Sequence, residues 1–217
     1  KFNMDLKKQL YLSPFGRIIS LIQNFFSFIS RPYMVYGYYS KFDKNFKKHT
    51  RISSSSVILN KENLNIGDNV WISHYSIIDA SNNVTIGDGC HMGAWLGIFT
   101  HSSHVSIRLY GGKSYIETEQ SERVGYLMGP VNIGEYTFIG ANTTIMPNVT
   151  VGKGCLIAVG TLVNKSAPDF SIISGNPGVI RGSTLDLDKR YFSDSLVQKN
   201  YFDKKTLDKF LKNKQKK

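Results

Sequence analysis

Between Val131 and Lys165 the aliphatic residues recur every six positions: Ile133, Ile139, Ile145, Val151, Ile157 and Val163. Gly134, Gly140 and Gly152 directly follow three of them, and small or β-branched residues stand four positions on, at Thr137, Thr143, Val149, Cys155, Thr161 and Ala167. A period of six matches neither the 3.6 of a helix nor the 2.0 of a continuous strand. It predicts a parallel β-helix in which each unit is a short strand plus a turn. The same phase occurs earlier, at Ile66, Ile72 and Ile78 and, after a two-residue slip, at Ile86, Met92 and Ile98. Three units make one triangular coil, so residues eighteen apart should stack and bury a column that no coil buries alone.

The other segments are read around this repeat. Ser13-Pro14 reads as a helix start, and Phe15, Ile18, Ile19, Ile22, Phe26 and Ile29 follow at helical spacing up to Pro32. A helix over Pro14–Ser30 is too short to span a bilayer. It is read first as packing on the domain or on a neighbouring subunit. The second reading is peripheral membrane contact, with Lys7, Lys8, Arg17 and Arg31 flanking it. Thr100–Pro130 loses the period and is too long for a corner, and an excursion of that size is usually functional. The division expected is an N-terminal helical and capping region at 1–56, a β-helix at 57–182 with an excursion loop at 100–130, and a basic tail with a short helix at 183–217. One of the two ends is expected to cap the solenoid.

The net charge of +11 is concentrated: Lys199–Lys217 holds eight lysines against two aspartates, leaving +5 for the rest. A basic tail is most often solvated, so no nucleic-acid partner is inferred. The two cysteines, Cys90 and Cys155, fall on inward positions, which predicts free thiols in a reducing compartment. No small-residue cleavage site follows the first apolar run, so a cytoplasmic location is expected, at the inner membrane face if the helix binds lipid.

The motifs IGDNVWIS (66–73), VTIGDGCHMGAW (84–95), IGEYTFIGANTTIMPNVTVGKGCLIAVGTLV (133–163) and SGNPGVI (174–180) together resemble the hexapeptide-repeat acyltransferases over about residues 60–182. The similarity is narrowest to the branch that O-acetylates sugars and surface polysaccharides. The resemblance implies a left-handed β-helix, a homotrimer, and acetyl-CoA as co-substrate in the groove between adjacent β-helices. It also implies a sugar or polysaccharide acceptor and no metal.

Moving an acetyl group from a thioester to a hydroxyl needs a base, and histidine suits near-neutral pH. His104 and His101 open the excursion loop, where the related enzymes carry the catalytic histidine; family spacing slightly favours His104. His49 is read as a surface residue, and His74 and His91 as surface or groove-lining ones. Asp79 stands where sugar-acetylating relatives carry an acidic residue, able to bind acceptor hydroxyls or orient the histidine, with a solvated corner as the plain reading. Trp95 offers a stacking face for a sugar ring, or packing between subunits. Arg108, Tyr110 and Tyr115 in the loop are further acceptor-side candidates. The cofactor match falls on Ala141, Val159, Gly160 and Lys165, with Arg181 the nearest charge where the family often has a basic residue after the closing proline. Three other readings stand beside this one: N-acetylation of an amino sugar, a carbonic-anhydrase-like metal protein, and a non-catalytic scaffold. The histidine offsets argue against the second.

Overall fold

The computed structural model describes residues 13–215, and Lys7 and Lys8 lie outside them. The chain divides into two units, Lys1–Tyr33 and Met34–Lys217. The first contains helix α1, Gly16–Ile29. Its start is held by the Ser13 hydroxyl, which accepts from the Phe15 N–H at 3.2 Å. Arg17, Ser20, Gln23, Asn24 and Ser27 interrupt its apolar residues, and none of the described helices is long and apolar enough to cross a membrane.

The second unit is a parallel β-helix with three faces. Down one face stack Ile72, Met92, Ile139, Ile157 and Ile173. Down the next run Ile58, Ile78, Ile98, Ile145 and Val163. The third carries Ile66, Ile86, Ile133 and Val151. The eighteen-residue stacking expected from the sequence is therefore met, and nearly every member of these columns is fully buried. The two-residue slip is absorbed in one corner, where Asn83 adopts φ +71°. The ladder begins at Arg51 and Ile52, which pair with Trp71 and Ile72.

Two local features let the coils close. A Cβ on Gly134 would sit 2.4 Å from the Lys153 nitrogen of the next coil, so the position after the aliphatic requires glycine's close approach. At most corners the third residue after the aliphatic takes a left-handed conformation, as at Asn69, Asn142 and Asn148. Asparagine tolerates this through local hydrogen bonding. Tyr75, Trp95, Tyr136 and Phe170 also adopt it. Their rings are held by stacking: Tyr75 lies on Trp95 at 6.3 Å, and Tyr136 on Phe202 at 4.6 Å. The inward hydroxyls one position further on stay buried because they donate to carbonyls, Thr137 to Gly152 at 2.9 Å and Thr161 to Ala158 at 2.7 Å. Cys90 and Cys155 occupy the same columns as free thiols, and burial pushes Cys90 up to about 11.

Each end of the solenoid is covered by an antiparallel strand. Met34–Tyr39 pairs with Phe46–Ser53 at the start, and Val179–Ser183 with Ser171–Ser174 at the finish. The excursion holds a helix, α2 (Ser106–Glu117), broken at Gly111, where φ is +62°. The tail likewise forms three helices rather than one, α3 (Thr184–Asp188), α4 (Ser195–Asn200) and α5 (Lys204–Gln215). Phe192 is their core, flanked by Tyr201 and Phe210 at 4.9 and 5.1 Å.

Asp203 caps α5 by accepting from the Thr206 N–H at 3.1 Å, and it pairs with Lys153 of the coils at 2.9 Å. Burial pushes this carboxyl up, but the Lys153 and Thr206 bonds outweigh that and hold it below the usual range. A depressed carboxylate stabilises the fold above its unfolded value, near about 4, and stops doing so as pH falls through the lower folded value. Hydrogen-exchange protection of α5 should accordingly drop on acidification below about pH 4, while the coils stay protected. Asp203→Asn should remove that step; an α5 that ignores acid in the native protein would contradict the assignment.

Candidate active site

The site is built where the strand Ile77–Asp79 ends and where the chain leaves the coils after Ile98. Thr100 is buried and joins the two: its hydroxyl donates to the Asp79 carbonyl at 3.0 Å, and its own carbonyl accepts from the Gly129 N–H at 3.0 Å. His101–Ser102 then pairs antiparallel with Leu127–Met128, so the excursion leaves and re-enters through one two-stranded stem. The stem is pinned by Asn148, whose amide donates to the Met128 carbonyl at 2.9 Å.

This stem sets His101 against Asp79. Nδ1 of His101 lies 2.7 Å from Oδ2 of Asp79, close as an ion pair although not aligned as a hydrogen bond. The Asp79 side chain is only 3% exposed, while that of His101 is 36% exposed. The carboxylate's other oxygen, Oδ1, accepts from the Ser81 N–H at 3.0 Å and from the Ser81 hydroxyl. The solvated corner read for Asp79 is thus overturned: the chain buries this carboxylate beneath the imidazole. Tyr126 covers the His101 ring in parallel, 5.9 Å between centroids and 9° between planes. Burial pushes the Tyr126 phenol up, Tyr115 and Asp79 add to this, and Arg123 partly opposes it.

His104 is exposed, and its Nδ1 meets the Ser102 hydroxyl at 2.8 Å. The loop candidates make their contacts within the loop. The Arg108 guanidinium donates to the His104 carbonyl. The Tyr110 hydroxyl accepts from the Val124 N–H at 2.9 Å and donates to the Glu122 carbonyl at 3.3 Å. Tyr115 lies under the Arg123 guanidinium at 4.0 Å. Sequence reasoning missed Tyr126, Arg123 and Ser81. Only Ser81 had a local signal, two residues after an aspartate, since the others depend on how the excursion folds back.

Trp95 stands on the opposite edge of the same face, 62% exposed. One backbone ladder climbs that edge: Trp95 donates to His74, Asn142 to Ala94, and Gly160 to Ala141 at 2.9, 2.8 and 2.9 Å. Ala141 and Gly160 are therefore neighbours there, with Val159 exposed beside them, and a Cβ on Gly160 would meet nothing within 4 Å. Lys165 lies elsewhere, in a cleft of about 360 Å³ with Ser166, Pro177 and Ile180, and Arg181 is exposed on the closing strand. A single chain does not gather these residues with His101. His74 bonds the Ser53 hydroxyl at 2.6 Å, and His91 sits on an outer face beside Trp71. Among the described residues, no three His, Cys, Asp or Glu side chains of one chain converge as metal ligands.

Residues 130–165 match the family model described as bacterial transferase hexapeptide (six repeats). This stretch of the chain is therefore a hexapeptide repeat. Its repeat is similar to "Putative acetyltransferase YvoF" of Bacillus subtilis (strain 168), 50% identical over 24% of this chain and 30% of that one. It is also similar to "Putative acetyltransferase YJL218W" of Saccharomyces cerevisiae (strain ATCC 204508 / S288c), 34% identical over 53% of each chain. The hexapeptide-repeat chain thus spans about half or less of these two relatives. In three dimensions it resembles a galactoside acetyltransferase in complex with coenzyme A, at a TM-score of 0.52 and 24% identity over 62% of each chain. It also resembles a maltose O-acetyltransferase from Clostridium difficile 630, at 0.50 and 22% identity over 60% of this chain and 64% of that one. The fold of the hexapeptide-repeat unit is accordingly the left-handed parallel β-helix.

Proposed function

We propose that this protein is an acetyl-CoA-dependent O-acetyltransferase acting on a hydroxyl of a sugar, in a surface polysaccharide or its precursor. The observation that carries the reading is the Asp79–His101 pair, 2.7 Å apart and opening outward where the excursion leaves the coils. In this reading Asp79 faces Nδ1 and fixes the ring, leaving Nε2 as the basic atom. Nε2 takes the acceptor hydroxyl proton as the oxygen attacks the thioester carbonyl. The carbon–sulfur bond breaks, and the leaving thiolate receives the proton back from the imidazolium. Acyl transfer through an enzyme thiol is disfavoured, because Cys90 and Cys155 are buried and burial raises both thiols. The same pair favours His101 over His104, whose Nδ1 meets the Ser102 hydroxyl.

The open edge at Ala141, Val159 and Gly160 suits the narrow pantetheine arm of acetyl-CoA, and the Lys165 ammonium suits its phosphates. Ala141, Val159 and Gly160 lie on one edge of the prism and His101 on another, so two adjacent copies would bring them together. That supports a homotrimer with sites shared between chains. The test is thiol release from acetyl-CoA against a panel of sugars, lipid-linked glycans and amino sugars. The reading expects acceptor-dependent release with a base-labile ester in the product. Release with amine acceptors alone, or no acceptor-dependent release at all, would contradict it.

A further inference from the structure

Helix α1 has a sharply divided surface. From Phe15 to Arg31 there are nine large apolar and seven polar residues. At 3.6 residues per turn the apolar set falls within an arc of about 180°, centred on Ile18, Ile22, Phe25 and Ile29, and the polar set fills the remainder. Eight of those nine apolar side chains are exposed. Fourteen residues make a helix of about 21 Å, well short of the roughly 30 Å of a bilayer core. Such a helix lies along an interface rather than through it.

Charge selects the occupant. Residues 13–33 contain two arginines, Arg17 and Arg31, and no acidic residue. A second copy docking through the same region would bring like charges together, whereas anionic headgroups complement them. The segment after the helix is also rich in exposed rings, at Tyr33, Tyr36, Tyr39, Phe42 and Phe46, interleaved with exposed Lys41, Lys44 and Lys48. Tyrosine favours the headgroup level, with an apolar body and a polar tip.

We infer that α1 is a peripheral membrane anchor, with its apolar arc embedded in the headgroup–acyl boundary of an anionic lipid surface. This stands whether or not the acetyl-transfer reading does. The test is flotation of the full chain with phosphatidylcholine vesicles, with and without phosphatidylglycerol. The chain should float with the anionic vesicles and release as salt is raised. The double variant Ile22→Glu, Phe25→Glu should weaken partitioning by roughly tenfold or more, and Ser27→Gln, on the polar arc, should leave it unchanged. Thermal unfolding of the β-helix should match wild type in both variants. A full chain that stays with the unbound fraction overturns the inference. So does a double variant that floats like wild type, or one that merely dissociates a lipid-free oligomer, which would assign the arc to a second copy.

Discussion

Replacing His101 with alanine should lower turnover with acetyl-CoA by about 10²–10⁴-fold, the usual range for loss of a positioned general base. The expectation rests on geometry. The imidazole is the one of the loop's two histidines that meets a buried carboxylate, and it still keeps about a third of its surface open. A base working on the acceptor side leaves the thioester's binding surface intact, so acetyl-CoA affinity should change little. His104→Ala removes an exposed ring that touches Ser102 and should cost much less. Turnover of the two variants in one assay with one acceptor distinguishes them. Near-wild-type turnover in His101→Ala would make the Asp79 contact a structural one.

The largest stability effect should come from the middle of a column. Ile139 is fully buried, stacked between Met92 of the preceding coil and Ile157 of the following one. Isoleucine to alanine at such a site removes the transfer free energy of its side chain and leaves a cavity, together about 2–5 kcal/mol. For a chain of this size that corresponds to a fall in Tm of roughly 5–15 °C. The neighbouring coils cannot collapse into the gap, because backbone contacts such as that of Gly140 against Val159 already set their spacing. Leu156→Ala, on a partly exposed outward position of the same face, should cost clearly less. Calorimetry checks both, and equal losses at the inward and outward positions would contradict the β-helical register.

The register was legible because a six-residue period has one geometric meaning. Ile133, Val151 and their partners could be paired before any coordinate was known, and the pairing holds along all three faces. The excursion was legible only as a break in that period. Its helix, its stem at His101 and Met128, and the Tyr126 ring on His101 arise from contacts across more than twenty residues that carry no local signal. Asp79 illustrates the boundary. Its resemblance to an acidic position of sugar-acetylating relatives marked it, but whether that corner is wet or buried depends on Thr100 and Ser81 closing over it. The tail shows the same limit. A short helix was expected there, and the tail was one of two candidate caps. The three helices packed around Phe192, with Phe202 on Tyr136 of the coils, depend on contacts with no local signal.

The pH profile of turnover, compared among the native protein, His101→Ala and Asp79→Asn, tests the Asp79–His101 pair most directly. A base that must be unprotonated to accept the hydroxyl proton makes turnover fall on the acid side. The account predicts that the native protein shows this limb, that Asp79→Asn alters it, and that it is absent from the residual activity of His101→Ala. An acid limb that persists unchanged in His101→Ala and disappears in His104→Ala would contradict the account.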